Sequence, residues 1–176
     1  MKKFELTAEY VTNIFGKKLF RIKALVAFGD VEEGELGGFI EKESNLDNDG
    51  NAWVSGDARV SGDARVYGNA WVSGDAWVSG DARVYGDARV YGNALVSGDL
   101  DYAIVGGFGR EQRTTTFFRQ KDGMVGVKCG CFYGTLEEFR GKVKETHKDS
   151  KYAQEYLMIA DLMELHFAGG KEDDER

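Results

Sequence analysis

The chain has 176 residues, 42% of them apolar, with a formal net charge of −7, 24 glycines and no proline. Its length suits one compact unit or two small ones, and abundant glycine without proline marks ordered turns rather than a disordered linker. The acidic excess is spread along the chain, with 7 basic and 10 acidic residues in 1–50, 4 and 6 in 51–100, and 12 and 14 in 101–176. No stretch is the basic platform that phosphate-backbone binding requires, so direct nucleic-acid binding is not expected. No apolar run is long enough to span a bilayer, and Met1-Lys2-Lys3-Phe4 opens no secretory signal. Two cysteines in such a chain predict a reducing cytoplasm.

Residues 1–37 are expected to form a β-hairpin cap. Residues 4–28 alternate as strands do, with Lys17-Lys18 as the tip and Leu19, Arg21 and Lys23 opposing Phe20, Ile22 and Ala24. What such a cap would cover is the open end of the next segment.

From Gly50 the sequence repeats every six residues: Gly-Asn-Ala-Trp-Val-Ser, Gly-Asp-Ala-Arg-Val-Ser, and so on to Asp99. Val recurs at 54, 60, 66, 72, 78, 84, 90 and 96, and Ala two residues before each. A six-residue period belongs to parallel β-helices. In Ala-x-Val the small and branched residues share one strand face and point inward, while the residue between them points out. Gly followed by Asp or Asn turns the corner. Three such sides close a coil of eighteen residues, and coils stack about 4.8 Å apart. Stepping back by sixes from Ala52 reaches Leu46 and Ile40, and stepping forward reaches Leu100 and Tyr102. The β-helix is therefore expected over 38–105, as three to four coils.

Residues eighteen apart should stack. Trp53, Trp71 and Arg89 form one outward column, Arg59, Trp77 and Leu95 a second, and Arg65 and Arg83 a third, with Tyr67 on Tyr85 at a corner. The tryptophans carry the most information, because exposed aromatic clusters mark interaction surfaces. Self-association, packing beneath the terminal segments, or Trp–Arg stacking on a solvated face would each account for them. Aspartate columns such as Asp63, Asp81 and Asp99 invite comparison with a phosphate backbone, but turns want Asp at these positions, and the arginines offset the charge.

The Val-x-Gly-Asp-Ala-x hexads resemble the hexapeptide-repeat, left-handed β-helix superfamily, which includes many trimeric acyltransferases. Left-handedness and trimerisation are what that resemblance implies. The stretch from Arg21 to Ile40 also resembles the N-terminal module of a bacterial and phage group often labelled as acyltransferases or polymer-forming proteins.

After Val105 the repeat stops at Gly106-Gly-Phe-Gly-Arg110. Arg113–Gln120 is expected as a strand, Lys121–Gly123 as a turn and Met124–Phe132 as the returning strand. Thr135-Leu-Glu-Glu138 is a capping box that opens a helix to about His147. Asp149 or Ser150 caps a second helix, with Tyr152, Tyr156, Ile159, Met163 and Phe167 at helical spacing. Residues 106–168 are thus expected to be a ββαα domain, similar to small modules of phage-type proteins, and 169–176 a disordered tail.

An acyltransferase of this superfamily needs a base beside the coils, yet the only histidines are His147 and His166. Cys129-Gly-Cys131 with these histidines lacks the spacing of a zinc knuckle, so buried thiols on a strand face shared with Val125 and Val127 are expected instead. Gly106–Arg110 with Arg113 offers backbone N–H groups and charge to an anion, or simply turns the chain. The candidate binding residues are therefore Trp53, Trp71, Trp77, Arg59, Arg89, Tyr67, Tyr85, Arg110 and Arg113, with no catalytic residue, metal or cofactor.

The expected function is that of a non-catalytic, oligomeric binding or scaffold protein, a dimer or trimer. By its phage-type resemblance it would act in the bacterial cytoplasm, bind a host protein and inhibit a host defence system. The alternatives are a hexapeptide acyltransferase and a sponge for a small nucleotide signal held between subunits.

Overall fold

A computed structural model describes residues 1–168, so the expected tail at 169–176 lies outside the described residues. The chain divides into two compact units, Met1–Asp99 and a second beginning at Leu100.

In the first unit, three longer strands, β1 (Phe4–Thr12), β2 (Lys18–Ala24) and β3 (Leu36–Ile40), precede eight two-residue strands, one per hexad. These are β4 (Trp53–Val54), β5 (Arg59–Val60), β6 (Arg65–Val66), β7 (Trp71–Val72), β8 (Trp77–Val78), β9 (Arg83–Val84), β10 (Arg89–Val90) and β11 (Leu95–Val96). They pair in parallel with partners eighteen residues away, making three sides: β5-β8-β11, β4-β7-β10 and β6-β9. The result is a β-solenoid of about three turns. Every Ala and Val of the hexads is fully buried, because the period-two alternation leaves these two side chains nowhere but the interior. The corner glycines are required as well. Gly74 has φ +71°, and a Cβ there would approach the backbone nitrogen of Gly92 in the next coil to 2.8 Å.

The first coil departs from a strict six-residue count. Ile40 pairs with Val60 and Leu46 with Val66, twenty residues apart rather than eighteen. Ile40 and Leu46 therefore occupy the Val position of the hexad, not the Ala position that stepping back from Ala52 assigns. The two extra residues fall in the corner Asp47–Gly50, where Asn48 accepts a hydrogen bond from the Lys3 backbone at 2.9 Å.

The cap extends one side of the solenoid as a sheet, in the order β1-β2-β3-β5-β8-β11. The hairpin tip is Asn13–Lys17 rather than Lys17-Lys18, since the Asn13 carboxamide accepts from the N–H groups of Phe15 and Lys17 at 3.0 and 2.9 Å. Strict alternation along β2 also fails. Leu19 and Ile22 are both buried despite opposite parity, and the pairing registers shift between Leu6 and Tyr10 and between Arg21 and Lys23. On all three sides the exposed carbonyl edge of the first full coil finds a donor. Ala52 accepts from Lys3 Nζ at 2.9 Å, Ala58 from the Phe39 N–H at 2.9 Å and Ala64 from Asn45 Nδ2 at 2.8 Å.

The second unit is a four-stranded antiparallel sheet in sequential order, β12 (Tyr102–Val105), β13 (Thr115–Arg119), β14 (Val125–Cys129) and β15 (Phe132–Thr135), followed by α1 (Leu136–His147) and α2 (Lys151–Ala168). The stretch Tyr102–Val105 continues the hexad register on paper but is not a coil strand. It pairs antiparallel with β13, so the solenoid stops with its last hexad. The run expected as one strand to Phe132 breaks at Gly130, whose φ of +56° turns the chain back and creates β15. Two strands are thus added to the expected pair. The helices form as the sequence predicts: the Thr135 hydroxyl and Glu138 carboxylate complete the capping box, and the Ser150 hydroxyl accepts from the N–H of Ala153. Phe117 and Val127 from the sheet pack with Leu136, Phe139, Val143, Tyr156, Met163 and Phe167 from the helices. Tyr152, which shares their helical spacing, is exposed.

Candidate functional site

The outward columns of the solenoid form as predicted, but their exposure differs. Trp53 stacks over Trp71 in register and is completely buried, with Phe28 edge-on at 5.4 Å. The cap covers this side, so Trp53 belongs to the core rather than to a free surface. Trp71 is half-buried and donates from Nε1 to the Ser55 hydroxyl at 3.1 Å, while Arg89 lies exposed over its ring. Tyr67 and Tyr85 stack at 5.4 Å and 15°.

The second column alternates cations and rings. The Arg21 guanidinium sits 4.3 Å from the centre of the Phe39 ring, and that of Arg59 lies 5.5 Å from the centre of the Trp77 ring. Register continues the column from Phe39 to Arg59, Trp77 and Leu95. Over its far end hangs the hairpin tip. Arg59, Trp77 and Leu95 line one wall of a groove of about 270 Å³, with Thr12, Leu19 and the tip residues Ile14 and Phe15 on the other. Ile14 and Phe15 are 81% and 80% exposed, on a turn held by the Asn13 side chain.

Arg110 and Arg113 stand elsewhere, in the second unit. A cavity of about 400 Å³ there brings them together with Cys129, Cys131, His147 and Tyr156, over a floor that includes Phe132, Phe139 and Val143. The glycine-rich loop closes onto this cavity rather than offering itself to an anion. The Gly109 N–H donates to the Glu155 carboxylate at 3.0 Å, and the Tyr156 hydroxyl donates to the Phe108 carbonyl at 3.3 Å. Burial pushes the Tyr156 phenol above its ordinary pKa, and the neighbouring Cys129 thiol adds to the shift. His147 stacks on the Tyr156 ring at 5.7 Å and 29°.

The cysteines do not share a buried strand face. Cys129 ends β14 half-buried, accepting from the Thr115 hydroxyl at 3.2 Å, while Cys131 lies exposed beyond the turn at Gly130. Among the described residues no three His, Cys, Asp or Glu side chains converge as metal ligands, and His166 lies outside the cavity lining.

Sequence reasoning named Arg110, Arg113, Cys129, Cys131 and His147 without placing them together, and it took Tyr156 as a core residue only. No fixed spacing joins positions 110 and 156. The one available signal was the glycine-rich loop beside two arginines.

No helix of the described residues is long and apolar enough to cross a membrane. No curated protein matches the chain. A family model described as YdcK Beta solenoid repeat matches residues 58–74, 64–80 and 88–99, all of them within the coils. What the chain shares with that family is the repeat, and the chain is a β-solenoid repeat protein.

Proposed function

We propose that this is a non-catalytic binding protein whose solenoid is a stiff scaffold presenting one side to a macromolecule, first of all a second copy of itself. The observation that carries the proposal is the pair Ile14 and Phe15, both about four-fifths exposed on an ordered turn beside Trp77 and Leu95. Two large apolar side chains held in water by a well-formed turn lose that exposure when they dock. The solenoid wall beneath them is rigid, so docking there costs little ordering entropy. Neither histidine lies on the coils, which favours binding over acyl transfer by a base at the coils. A host protein as a further partner, and inhibition of a host defence as the outcome, rest on the phage-type resemblance of the flanking segments.

Sedimentation of the wild type and an Ile14→Asp/Phe15→Asp variant tests this. The wild type should associate with rising concentration, as two or three copies, and the variant should stay monomeric with its unfolding midpoint unchanged. A monomeric wild type, or a variant that associates as strongly, would overturn the proposal. Titration with acetyl-CoA separates the enzyme reading, because clear micromolar binding would favour acyl transfer.

A further inference from the structure

We propose that the cavity of the second unit binds a small aromatic anion, with its charged head at Arg113 and its ring against Phe139 and Tyr156. The inference is independent of how the solenoid side is used. At about 400 Å³ the cavity falls within the range of small-ligand pockets, roughly 300–1,000 Å³.

Its charges are one-sided. Arg110, Arg113 and Lys142 line it against a single acid, Glu111. Lys142 is engaged by Glu145 at 3.0 Å, and Arg110 lies 3.9 Å from Glu111. Among the described residues no carboxylate forms an ion pair with Arg113, whose guanidinium lies across the backbone of Gly130, where a Cβ would come within 2.8 Å of it. With no such carboxylate among the described residues, the guanidinium fork suits the two oxygens of a carboxylate or phosphate.

The floor selects the rest of the ligand. Phe139 and Tyr156 meet edge to face at 5.8 Å and 88°, forming an aromatic corner, with Phe132 5.7 Å from Phe139. A flat ring placed in that corner stacks on one wall and meets the edge of the other. An inorganic anion would leave this apolar floor wet. A neutral ring would leave Arg113 without a counter-charge.

Cys129 and Cys131 are the only cysteines in the chain, and both line the cavity, so their alkylation reports on its occupancy. The experiment is iodoacetamide labelling of the full chain, read residue by residue by mass spectrometry. The probes are phenyl phosphate and benzoate, with inorganic phosphate and benzyl alcohol alongside. Either aryl anion should slow labelling of Cys129 several-fold and saturably, and the one that protects identifies the head group. Arg113→Gln, at an exposed position, should leave the unfolding midpoint unchanged and raise the half-protecting concentration about tenfold or more. The proposal is overturned if neither aryl anion protects, if the variant is protected equally, or if inorganic phosphate or benzyl alcohol protects as well.

Discussion

The ammonium of Lys3 donates to the carbonyl of Ala52 at 2.9 Å, closing by a side chain, as Asn45 does at Ala64, the edge that the Phe39 amide closes by backbone at Ala58. Lys3 is 3% exposed, lies over the Phe28 ring at 4.6 Å and reaches the Gly50 carbonyl at 3.5 Å. Burial lowers its pKa to about 8, against the opposing pull of Asp47 and Asp49. Lys3→Met leaves the buried Ala52 carbonyl without a donor and should destabilise the first unit by about 1–3 kcal/mol in urea unfolding. The pH dependence follows from the lowered pKa. Between about 8 and 10.5 the unfolded chain holds a proton that the folded one has released, so this group adds stability as pH rises through that window. The wild-type advantage over Lys3→Met should therefore grow from the lower to the upper side of the window. A constant difference would contradict it.

Trp53 and Trp77 should separate cleanly on truncation. Trp53 is fully buried beneath the cap, so Trp53→Ala opens a large cavity and should cost about 3–5 kcal/mol. Trp77, half-buried beside the groove, should cost clearly less, with its main effect on association. Denaturant midpoints of the two single variants check this order. A variant that removes all three tryptophans cannot report on an interface, because losing Trp53 damages the fold.

Gly109 should tolerate no side chain. Its φ is +74°, and a Cβ there would overlap the Tyr156 hydroxyl. Gly109→Ala should destabilise the second unit by about 1–3 kcal/mol and release the loop from α2. A Tyr156→Phe background should recover only part of the loss, since the backbone strain remains. Hydrogen exchange of the Gly109 amide, now held by Glu155, reads the release directly.

The coils were legible because one rule repeats. Eight Ala-x-Val hexads define the inside, the corners and the stacking partners, and Arg59 over Trp77 follows from counting eighteen. What escaped counting were the places where the rule is broken once. The two extra residues before Gly50 leave no mark in composition, and Tyr102 keeps the hexad phase while joining another sheet. The burial of Trp53 depends on Phe28, twenty-five positions away in a segment with no period. The cavity was the least legible, since Arg113, Cys129 and Tyr156 meet only through the turn at Gly130 and the docking of α2.

The three different donors at the first coil have a consequence for growth. A bare solenoid end is a template, able to seed a filament by accepting another copy's strands. Here an ammonium, a strand amide and a carboxamide occupy the Ala acceptor on each side in turn, and at the other end the Asp99 carboxylate takes the Arg83 N–H at 2.8 Å. A newcomer arriving at the first coil would have to displace all three donors together. The repeat by itself would accept one more coil at that edge, and the irregular segments before Gly50 close it on every side.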